Sequence, residues 1–348
     1  MATRLNVGVV GAGRMGRIYA ADLAQRIPNA RLAAVADKQA AVAESFARDY
    51  GVPKWYASHL DLLDDPRVEA VAVISPTSTH REVVIAALNK GQPVFCEKPL
   101  SISIAEAEEM LAAVERTGTF FQMGFQRRFD AGYQAAKKKI DAGAIGTPVL
   151  IKSTSRDPLP PTREYCDPKS SGGLIIDMGI HDFDITRMFM GDVKSVHAMG
   201  GALAYPWMKE IGDIDNAVIN MVFGSGALGC IQLSRHAIFG YDIRAEVWGT
   251  KGSVQVGYLR ETPVLVMTED GVTHDVVPNF MQRFEKAYLA QMSNFVENVL
   301  HGRPPAITCA DGVAALRVSV AATVSARENR TVEVREISGA SAQATVKN

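Results

Sequence analysis

Three glycines follow an apolar run near the start of the chain and have the spacing G-x-G-x-x-G. In this spacing the first glycine allows a tight turn, the second lets the backbone approach a pyrophosphate, and the third permits close packing of helix on strand. The helix that follows would present free N–H groups to phosphate oxygens. Because the match comes after a predicted strand and opens a predicted helix, it predicts a dinucleotide-binding loop. The loop residues are Gly11, Gly13, Arg14, Met15 and Gly16.

An acidic residue follows the second predicted strand, which covers residues 31–36. The carboxylate of Asp37 can accept hydrogen bonds from ribose hydroxyls, and its charge repels a 2′-phosphate. The arrangement favours NAD over NADP, although Lys38 beside it leaves room for use of both. The alternative interpretation is a tight turn followed by a solvated carboxylate.

A lysine stands directly after a later predicted strand at residues 93–96, in the sequence Glu97-Lys98-Pro99-Leu100. In a doubly wound sheet the carboxyl ends of the strands face the ligand crevice, so Lys98 could meet the reacting end of a dinucleotide. A solvated surface lysine is the alternative. Two adjacent arginines, Arg127 and Arg128, follow the last strand of this part of the chain. They could contact cofactor or substrate, or they could begin a solvated helix.

A carboxylate and an imidazole lie four residues apart in the segment 172–182. If this segment is helical, Asp177 and His181 share one face. A carboxylate beside an imidazole can set its tautomer and raise its basicity, and the pair could take a proton from an alcohol. The alternative is a helix-terminal acid with a structural histidine. One histidine and one aspartate are too few for a metal site, so we predict none.

The elements that must position these residues change character near residue 124. Before it, apolar strands alternate with helices of about 10–15 residues, which indicates a parallel sheet covered on both faces. After it, longer strands alternate apolar and polar residues, which indicates an antiparallel or mixed sheet. We predict strands at residues 5–10, 31–36, 54–56, 69–74, 93–96 and 119–123, and later at 148–155, 193–201, 216–223, 227–235, 242–249, 253–257 and 263–268. Long helices are predicted at 15–26, 39–49, 79–90, 104–117, 129–142, 282–301 and 310–328.

The composition excludes several classes of protein. The chain has 348 residues, 47% of them hydrophobic, with 37 basic and 38 acidic side chains. The near-zero net charge argues against a nucleic-acid binder. We expect no signal peptide and no stretch of about 18 apolar residues that would span a membrane. Four dispersed cysteines without a C-x-x-C pair fit a reducing cytoplasm. The small, polar residues 338–348 are expected to fray.

Taken together, these motifs resemble the glucose–fructose oxidoreductase/inositol dehydrogenase/rhizopine-catabolism (Gfo/Idh/MocA) superfamily. The resemblance covers nearly the whole chain and rests on the glycine loop, residues 75–80 (SPTSTH), residues 97–100 (EKPL) and Asp177 with His181. Further segments are similar to inositol dehydrogenases: residues 124–133, 155–158, 180–184, 234–242, 246–252 and 283–288. The segment 159–171 has no role that we can assign.

The resemblance implies a fold and an organisation. It implies an α/β protein with an N-terminal Rossmann domain, a doubly wound parallel sheet, over residues 1–124. Residues 125–348 would form a C-terminal α+β domain with a large open, mostly antiparallel sheet. This domain would bind substrate and form a homo-oligomer, a tetramer or a dimer.

The resemblance also implies a reaction, the NAD-dependent oxidation of myo-inositol to 2-keto-myo-inositol. His181 would be the base, Asp177 would orient and charge the pair, and Lys98 would hydrogen-bond the reacting oxygen. Cofactor contacts would come from Ser75, Thr77, His80, Glu97, Lys98 and Arg127, and the polyol pocket from Lys98, Arg127, Asp157, Asp177, His181, Tyr241 and Tyr288. Alternatives are a dehydrogenase or reductase of scyllo-inositol or another sugar, and a non-catalytic regulator that senses NAD(P).

Overall fold

The first six strands are short and almost wholly apolar, so they need cover on both faces. In the computed structural model, which describes residues 4–258 and 260–339, they form one parallel sheet in the order β3-β2-β1-β4-β5-β6. This is the strand order of a dinucleotide-binding Rossmann sheet, with its reversal point between β1 and β4. The prediction of a doubly wound parallel sheet is confirmed. The strands are β1 Leu5–Val10, β2 Ala30–Ala36, β3 Trp55–Tyr56, β4 Ala70–Val73, β5 Val94–Glu97 and β6 Phe121–Gly124.

Five helices connect these strands. They are α1 Arg14–Ala21, α2 Ala40–Tyr50, α3 His59–Leu63, α4 His80–Asn89 and α5 Ile104–Thr117. The helix predicted at 15–26 is α-helical only as far as Ala21. The chain then continues as a short π-helix, Asp22–Arg26. Helices α2 and α5 end at Gly51 and Gly118, whose left-handed backbone conformation is the usual glycine stop.

A second sheet has seven strands in the order β12-β11-β7-β10-β9-β8-β15. Only β7 and β10 pair in parallel, whereas the other neighbours run antiparallel. The expectation of a large, mostly antiparallel sheet is therefore confirmed. In β9 buried residues alternate with exposed or half-buried ones, as in a strand with one covered face. The strands are β7 Pro148–Arg156, β8 Val193–Gly201, β9 Asn216–Phe223, β10 Leu228–Ser234, β11 Asp242–Gly249, β12 Gly252–Val256 and β15 Val332–Glu333.

One predicted strand is wrong in extent. The segment 263–268 contributes only Val266–Thr268 (β13), which pairs with Gly271–Thr273 (β14) in a separate two-stranded hairpin. The helices of this part of the chain are α6 Ala131–Asp141, α7 Arg163–Cys166, α8 Pro168–Ser171, α9 Gly173–Asp177, α10 Ile180–Met190, α11 Phe280–Leu300 and α12 Cys309–Glu328.

The chain is divided into two compact units. The first contains the segments Met1–Gln126 and Lys286–Ala314, and the second contains Arg127–Glu285 and Ala315–Asn348. The late segment of the first unit comes from α11 and α12, which the sequence assigned wholly to the second domain. The single boundary near residue 124 stays a prediction. Expectations about residues 340–348 concern a part of the chain outside the described residues.

Helix α12 is long and apolar enough to cross a membrane by length and composition alone. However, 67% of its most apolar window is buried inside the protein. Burial of that extent is what a core helix shows.

Candidate active site

The glycine loop after β1 has the shape that a pyrophosphate requires. Gly11 has a φ of +106°, and a Cβ on it would lie 2.6 Å from the backbone of Ile74. A Cβ on Gly16 would lie 2.0 Å from the carbonyl oxygen of Gly11. Gly13, by contrast, has no atom within 4 Å of where its Cβ would stand, and it precedes the first residue of α1. The loop therefore leaves an open cradle at a helix N-terminus, which fits a dinucleotide.

Asp37 lies at the carboxyl end of β2, beside this loop. Its Oδ2 accepts a hydrogen bond from the Ala12 N–H at 3.0 Å, and its Oδ1 accepts one from the Gln39 N–H at 3.0 Å. A carboxylate oxygen has two acceptor sites, so both oxygens retain capacity for ribose hydroxyls. The role of Asp37 in binding ribose stays a prediction.

The segment after β4 contains three predicted cofactor contacts. Ser75 and Thr77 are half-buried there, and the Ser75 hydroxyl is hydrogen-bonded to that of Thr79 at 2.7 Å. His80 is buried, and its ring nitrogens lie 2.9 Å from the Ser75 carbonyl oxygen and 3.0 Å from the Pro99 carbonyl oxygen. Burial lowers the pKa of His80. The imidazole thus links the segments that follow β4 and β5, a structural task that the sequence did not indicate.

Lys98 is held in place through its buried neighbour, Glu97. The Glu97 carboxylate accepts hydrogen bonds from the Tyr19 hydroxyl and, at 2.8 Å, from the Lys98 N–H. The Tyr19 hydroxyl in turn accepts one from the Gln291 amide. Burial raises the pKa of Glu97 and of Tyr19. Tyr288, a predicted pocket residue, lies on α11 with its ring edge-on to Tyr19, 6.0 Å between centroids.

The predicted dyad stands at a junction between two helices and not on one continuous helix. Helix α9 ends at Asp177, and α10 begins one residue before His181. The break falls at Gly179, where a Cβ would lie 2.5 Å from the carbonyl oxygen of Ile175. Met178 and Gly179 keep right-handed helical dihedrals, so the four-residue spacing still spans about one turn. Asp177 and His181 are 7% and 8% exposed.

Two glycines determine how α9 begins. Gly172 and Gly173 have φ values of +83° and +77°, in the left-handed region that favours glycine. A Cβ on Gly173 would lie 2.6 Å from Oδ1 of Asp213. That same oxygen accepts a hydrogen bond from the Leu174 N–H at 3.0 Å, and burial raises the pKa of Asp213. The paired glycines therefore let a buried acid bind the start of the helix that carries Asp177.

Two residues that the sequence analysis did not select bind the Asp177 carboxylate. The Tyr165 hydroxyl donates to Oδ1 at 3.1 Å, and Nη2 of Arg235 donates to Oδ2 at 3.2 Å. Tyr165 belongs to the segment 159–171, for which no role was assigned. Arg235 is 58 residues from Asp177 along the chain, and no local motif indicates that the two meet.

Arg127 is buried in the second unit and bound to the residue after His181. Its Nη1 donates to Asp182 at 3.1 Å and to the Ser155 hydroxyl at 3.0 Å, and the guanidinium lies 5.8 Å from the ring centroid of Phe284. Burial disfavours its charge most strongly, but Asp182 together with Tyr241, Tyr133 and Asp157 outweighs this effect, so the pKa of Arg127 is raised. The Arg128 side chain instead pairs with Asp184, at 2.6 Å.

Two other predicted pocket residues lie near Arg127. Burial raises the pKa of Tyr241, and the charges of Arg127 and Asp157 also act on its hydroxyl. Asp157 directly follows β7, where its N–H donates to the Ser234 carbonyl at 2.9 Å. The second unit thus brings Arg127, Asp157 and Tyr241 together. Across residues 4–258 and 260–339, no group of three His, Cys, Asp or Glu side chains could hold a metal ion.

Comparison with known proteins establishes the family. Residues 5–125 match the oxidoreductase family, NAD-binding Rossmann fold, and residues 137–334 match the oxidoreductase family, C-terminal alpha/beta domain. The chain therefore belongs to the Gfo/Idh/MocA oxidoreductase family, and NAD is the cofactor of its Rossmann domain. The resemblance stated from the sequence is confirmed.

Similar proteins of that family include inositol dehydrogenases. The chain is 40% identical over 335 residues to a scyllo-inositol 2-dehydrogenase (NAD⁺) of Bacillus subtilis, covering 96% of this chain and 97% of the relative. It is 40% identical to a myo-inositol 2-dehydrogenase of Thermotoga maritima, covering 96% and 100%. A scyllo-inositol dehydrogenase of Lactobacillus casei, solved with NAD(H) and scyllo-inositol, has a TM-score of 0.91 at 31% identity, covering 96% of this chain and 100% of that one.

Proposed function

We propose that this protein is an NAD-dependent inositol 2-dehydrogenase that oxidises myo-inositol to 2-keto-myo-inositol in inositol catabolism. One observation carries the proposal. The buried Asp177–His181 pair and Lys98, which follows β5, are both present in a chain 40% identical to inositol dehydrogenases along nearly its whole length.

Each member of this set has a chemical task. His181 takes the proton of the reacting hydroxyl, and Asp177 orients the imidazole and stabilises the positive charge that it acquires. Lys98 donates a hydrogen bond to the reacting oxygen, which favours its deprotonation. Bound NAD supplies the hydride acceptor for the C–H bond of the same carbon. The chain contributes position and proton transfer.

The proposed pocket residues suit a polyol. Arg127, Asp157, Tyr241 and Tyr288 offer donors and acceptors to hydroxyl groups, each of which needs a partner once it leaves water. Of these, Arg127, Asp157 and Tyr241 belong to the second unit, while Tyr288 belongs to the first. Other than Arg127, the proposed cofactor residues lie in the glycine loop, in the segments after β2 and β4, and at the end of β5.

scyllo-Inositol is the second candidate substrate, because the Bacillus relative that carries that name is as similar as the myo-inositol enzyme of Thermotoga. Reduction of NAD and NADP by the purified protein should be followed over myo-, scyllo- and chiro-inositol and common aldoses. We expect NAD reduction with myo-inositol well above the rest. Activity confined to scyllo-inositol would make that polyol the substrate instead. Tight NAD binding without turnover would favour a non-catalytic regulator.

The assigned roles are tested by variants of the catalytic set. Lys98→Met and His181→Gln should abolish turnover while the affinity for NAD, measured by calorimetry, persists. Asp184→Asn provides a control on α10, because Asp184 binds Arg128 and has no assigned role in the reaction. Retained turnover in both the Lys98 and the His181 variants would contradict the assignment.

We also propose that the protein is a cytoplasmic homo-oligomer, a tetramer or a dimer, assembled through the open face of the seven-stranded sheet. Leu150, Leu228 and Val222 are exposed and directly paired across β7, β10 and β9, and Val218 lies further along the same face. Four free cysteines fit a reducing compartment. Light scattering should give a mass of two or four chains, and Leu228→Lys should lower it. A monomeric wild-type chain would contradict this proposal.

A further inference from the structure

The carboxylate of Asp177 is bound at both of its oxygens by different parts of the second unit. Tyr165 reaches Oδ1 from α7, at 3.1 Å. Arg235, the residue after β10, reaches Oδ2 at 3.2 Å. A carboxylate bound at both oxygens has little freedom to rotate about χ2, so these two partners restrict its orientation.

The guanidinium of Arg235 is fully buried, and its charge needs an oppositely charged partner there. The Arg235 side chain is 0% exposed, while its backbone N–H donates to the Asp215 carbonyl at 2.9 Å. Among the residues that the structure describes, Nε and Nη1 have no hydrogen-bond partner. A buried guanidinium with unmade hydrogen bonds is costly. The ion pair with Asp177 is therefore the principal interaction that holds this side chain in place.

Other ionisable groups face this pair. Burial disfavours the charge of Arg235, while Asp177, Cys166, Asp213 and Asp157 all favour it, so the pKa of Arg235 is raised. Asp213 is a second carboxyl close to Asp177, and burial and, to a smaller extent, the charge of Asp177 raise the pKa of Asp213. A single guanidinium thus offsets the repulsion between two neighbouring acids.

We propose that Arg235 is a positioning residue for the dehydrogenase reaction, which holds the Asp177 carboxylate charged and in one orientation together with the hydroxyl of Tyr165. This inference rests on the proposed function. It also gives the segment 159–171 a role, because Tyr165 is 47% exposed and its hydroxyl reaches a buried acid. The side chain lies where it could contact both solvent and the dyad.

Loss of the guanidinium has a defined effect on the pH profile. Without it, protonation of Asp177 is favoured, because a neighbouring positive charge no longer stabilises the carboxylate. Because the reaction uses the charged Asp177 carboxylate, this change moves the acid limb of kcat/KM to higher pH. Asp213, Asp157, Cys166 and Tyr165 are unchanged in such a variant.

The experiment compares Arg235→Met, Arg235→Lys and a matched control, Arg128→Met, in the full chain with NAD and inositol. Arg128 also pairs with a buried aspartate, Asp184, at 2.6 Å. For Arg235→Met we expect kcat to fall roughly 10- to 100-fold, a part of what acid–base catalysis contributes. Its acid limb should move to higher pH, Arg235→Lys should recover part of both effects, and Arg128→Met should show neither.

A merely structural role gives a different pattern. If Arg235→Met and Arg128→Met change kcat equally and leave the acid limb in place, the inference is overturned. If Arg235→Met does not fold, the variant Tyr165→Phe tests the inference instead, because it removes only one half-exposed hydroxyl. A lower kcat with unchanged KM for NAD supports the inference. An unchanged kcat overturns it. Wild-type protein without turnover on any polyol would overturn the proposed function and this inference together.

Discussion

Substitution of Asp182 tests the buried ion pair that supports the proposed polyol pocket. Asp182 is fully buried and accepts hydrogen bonds from Nη1 of Arg127 at 3.1 Å, Ser153 Oγ at 2.6 Å and Ser155 Oγ at 2.7 Å. Asp182→Asn keeps the size of the side chain but removes its charge. Arg127 then loses its hydrogen-bonded counter-charge in a buried site, and breaking such a pair typically costs about 3–5 kcal/mol.

This cost is large enough to be seen directly. For a unit of about 150–250 residues, 1 kcal/mol lowers Tm by about 2–4 °C, so Asp182→Asn should lower the Tm of the second unit by roughly 6–20 °C. Scanning calorimetry measures the shift. Arg127 also loses the partner that orients it, so KM for the polyol should rise.

Ser153→Ala is the matched control, because it removes one hydrogen bond to Asp182 and leaves the ion pair intact. It should cost about 1 kcal/mol, the net value of an ordinary hydrogen bond. Equal transition temperatures for Asp182→Asn and Ser153→Ala would refute the reasoning, because the charge of Asp182 would then contribute nothing beyond its hydrogen bonds.

Three further outcomes are expected. Asp37→Ser should lower the ratio of kcat/KM with NAD to that with NADP about tenfold or more, because close like charges repel by about 1–4 kcal/mol; an unchanged ratio would contradict the role of Asp37. Burial raises the pKa of Glu97 above its ordinary value of 4.5, so the wild type loses stability as pH rises from about 4.5 through the raised pKa. Denaturant titrations should show Glu97→Gln gaining stability relative to wild type over that interval, and a pH-independent difference would argue against it. Gly173→Ala should lower kcat about tenfold, because its Cβ would displace Asp213. Gly212→Ala is the control, because Gly212 has a φ of +74° and no atom near the position of a Cβ. This control should cost about 1–2 kcal/mol of stability and leave kcat unchanged.

The first unit could be predicted closely because its signals are local. Each β-strand is a short, largely apolar run, and glycines mark the start of α1 and the ends of α2 and α5. Gly11 and Gly16 need their small size for contacts a few residues away or with the next strand of the sheet. Strand order then follows from right-handed crossovers.

The second unit was harder to predict, because its decisive contacts are distant in the sequence. The parallel pairing of β7 with β10 joins strands about 80 residues apart along the chain, and the contact of Arg235 with Asp177 spans 58 residues. Periodicity reports which face of an element is buried, but it does not report the partner. In the sequence Arg235 stands between Ser234 and His236, so no apolar run around it indicated that it would be buried beside an acid.

The division of the chain into two units could be predicted only in part. Near residue 124 the alternation of strands and helices gives way to longer strands, and this change marks where one sheet ends and the other begins. Nothing in the composition of α11 and α12 shows that Lys286–Ala314 returns to the first unit. Both helices are amphipathic or apolar elements, and such a pattern is compatible with packing in either unit.

The central claim is that a hydride passes from a carbon of the inositol ring to NAD. Myo-inositol carrying deuterium on carbon 2 tests this claim most directly, with the mass of the NADH formed as the readout. We expect NADH one mass unit heavier than that formed from unlabelled substrate, at a rate that His181→Gln abolishes. Turnover that yields unlabelled NADH, or tight NAD binding with no NADH from any inositol, would contradict the account.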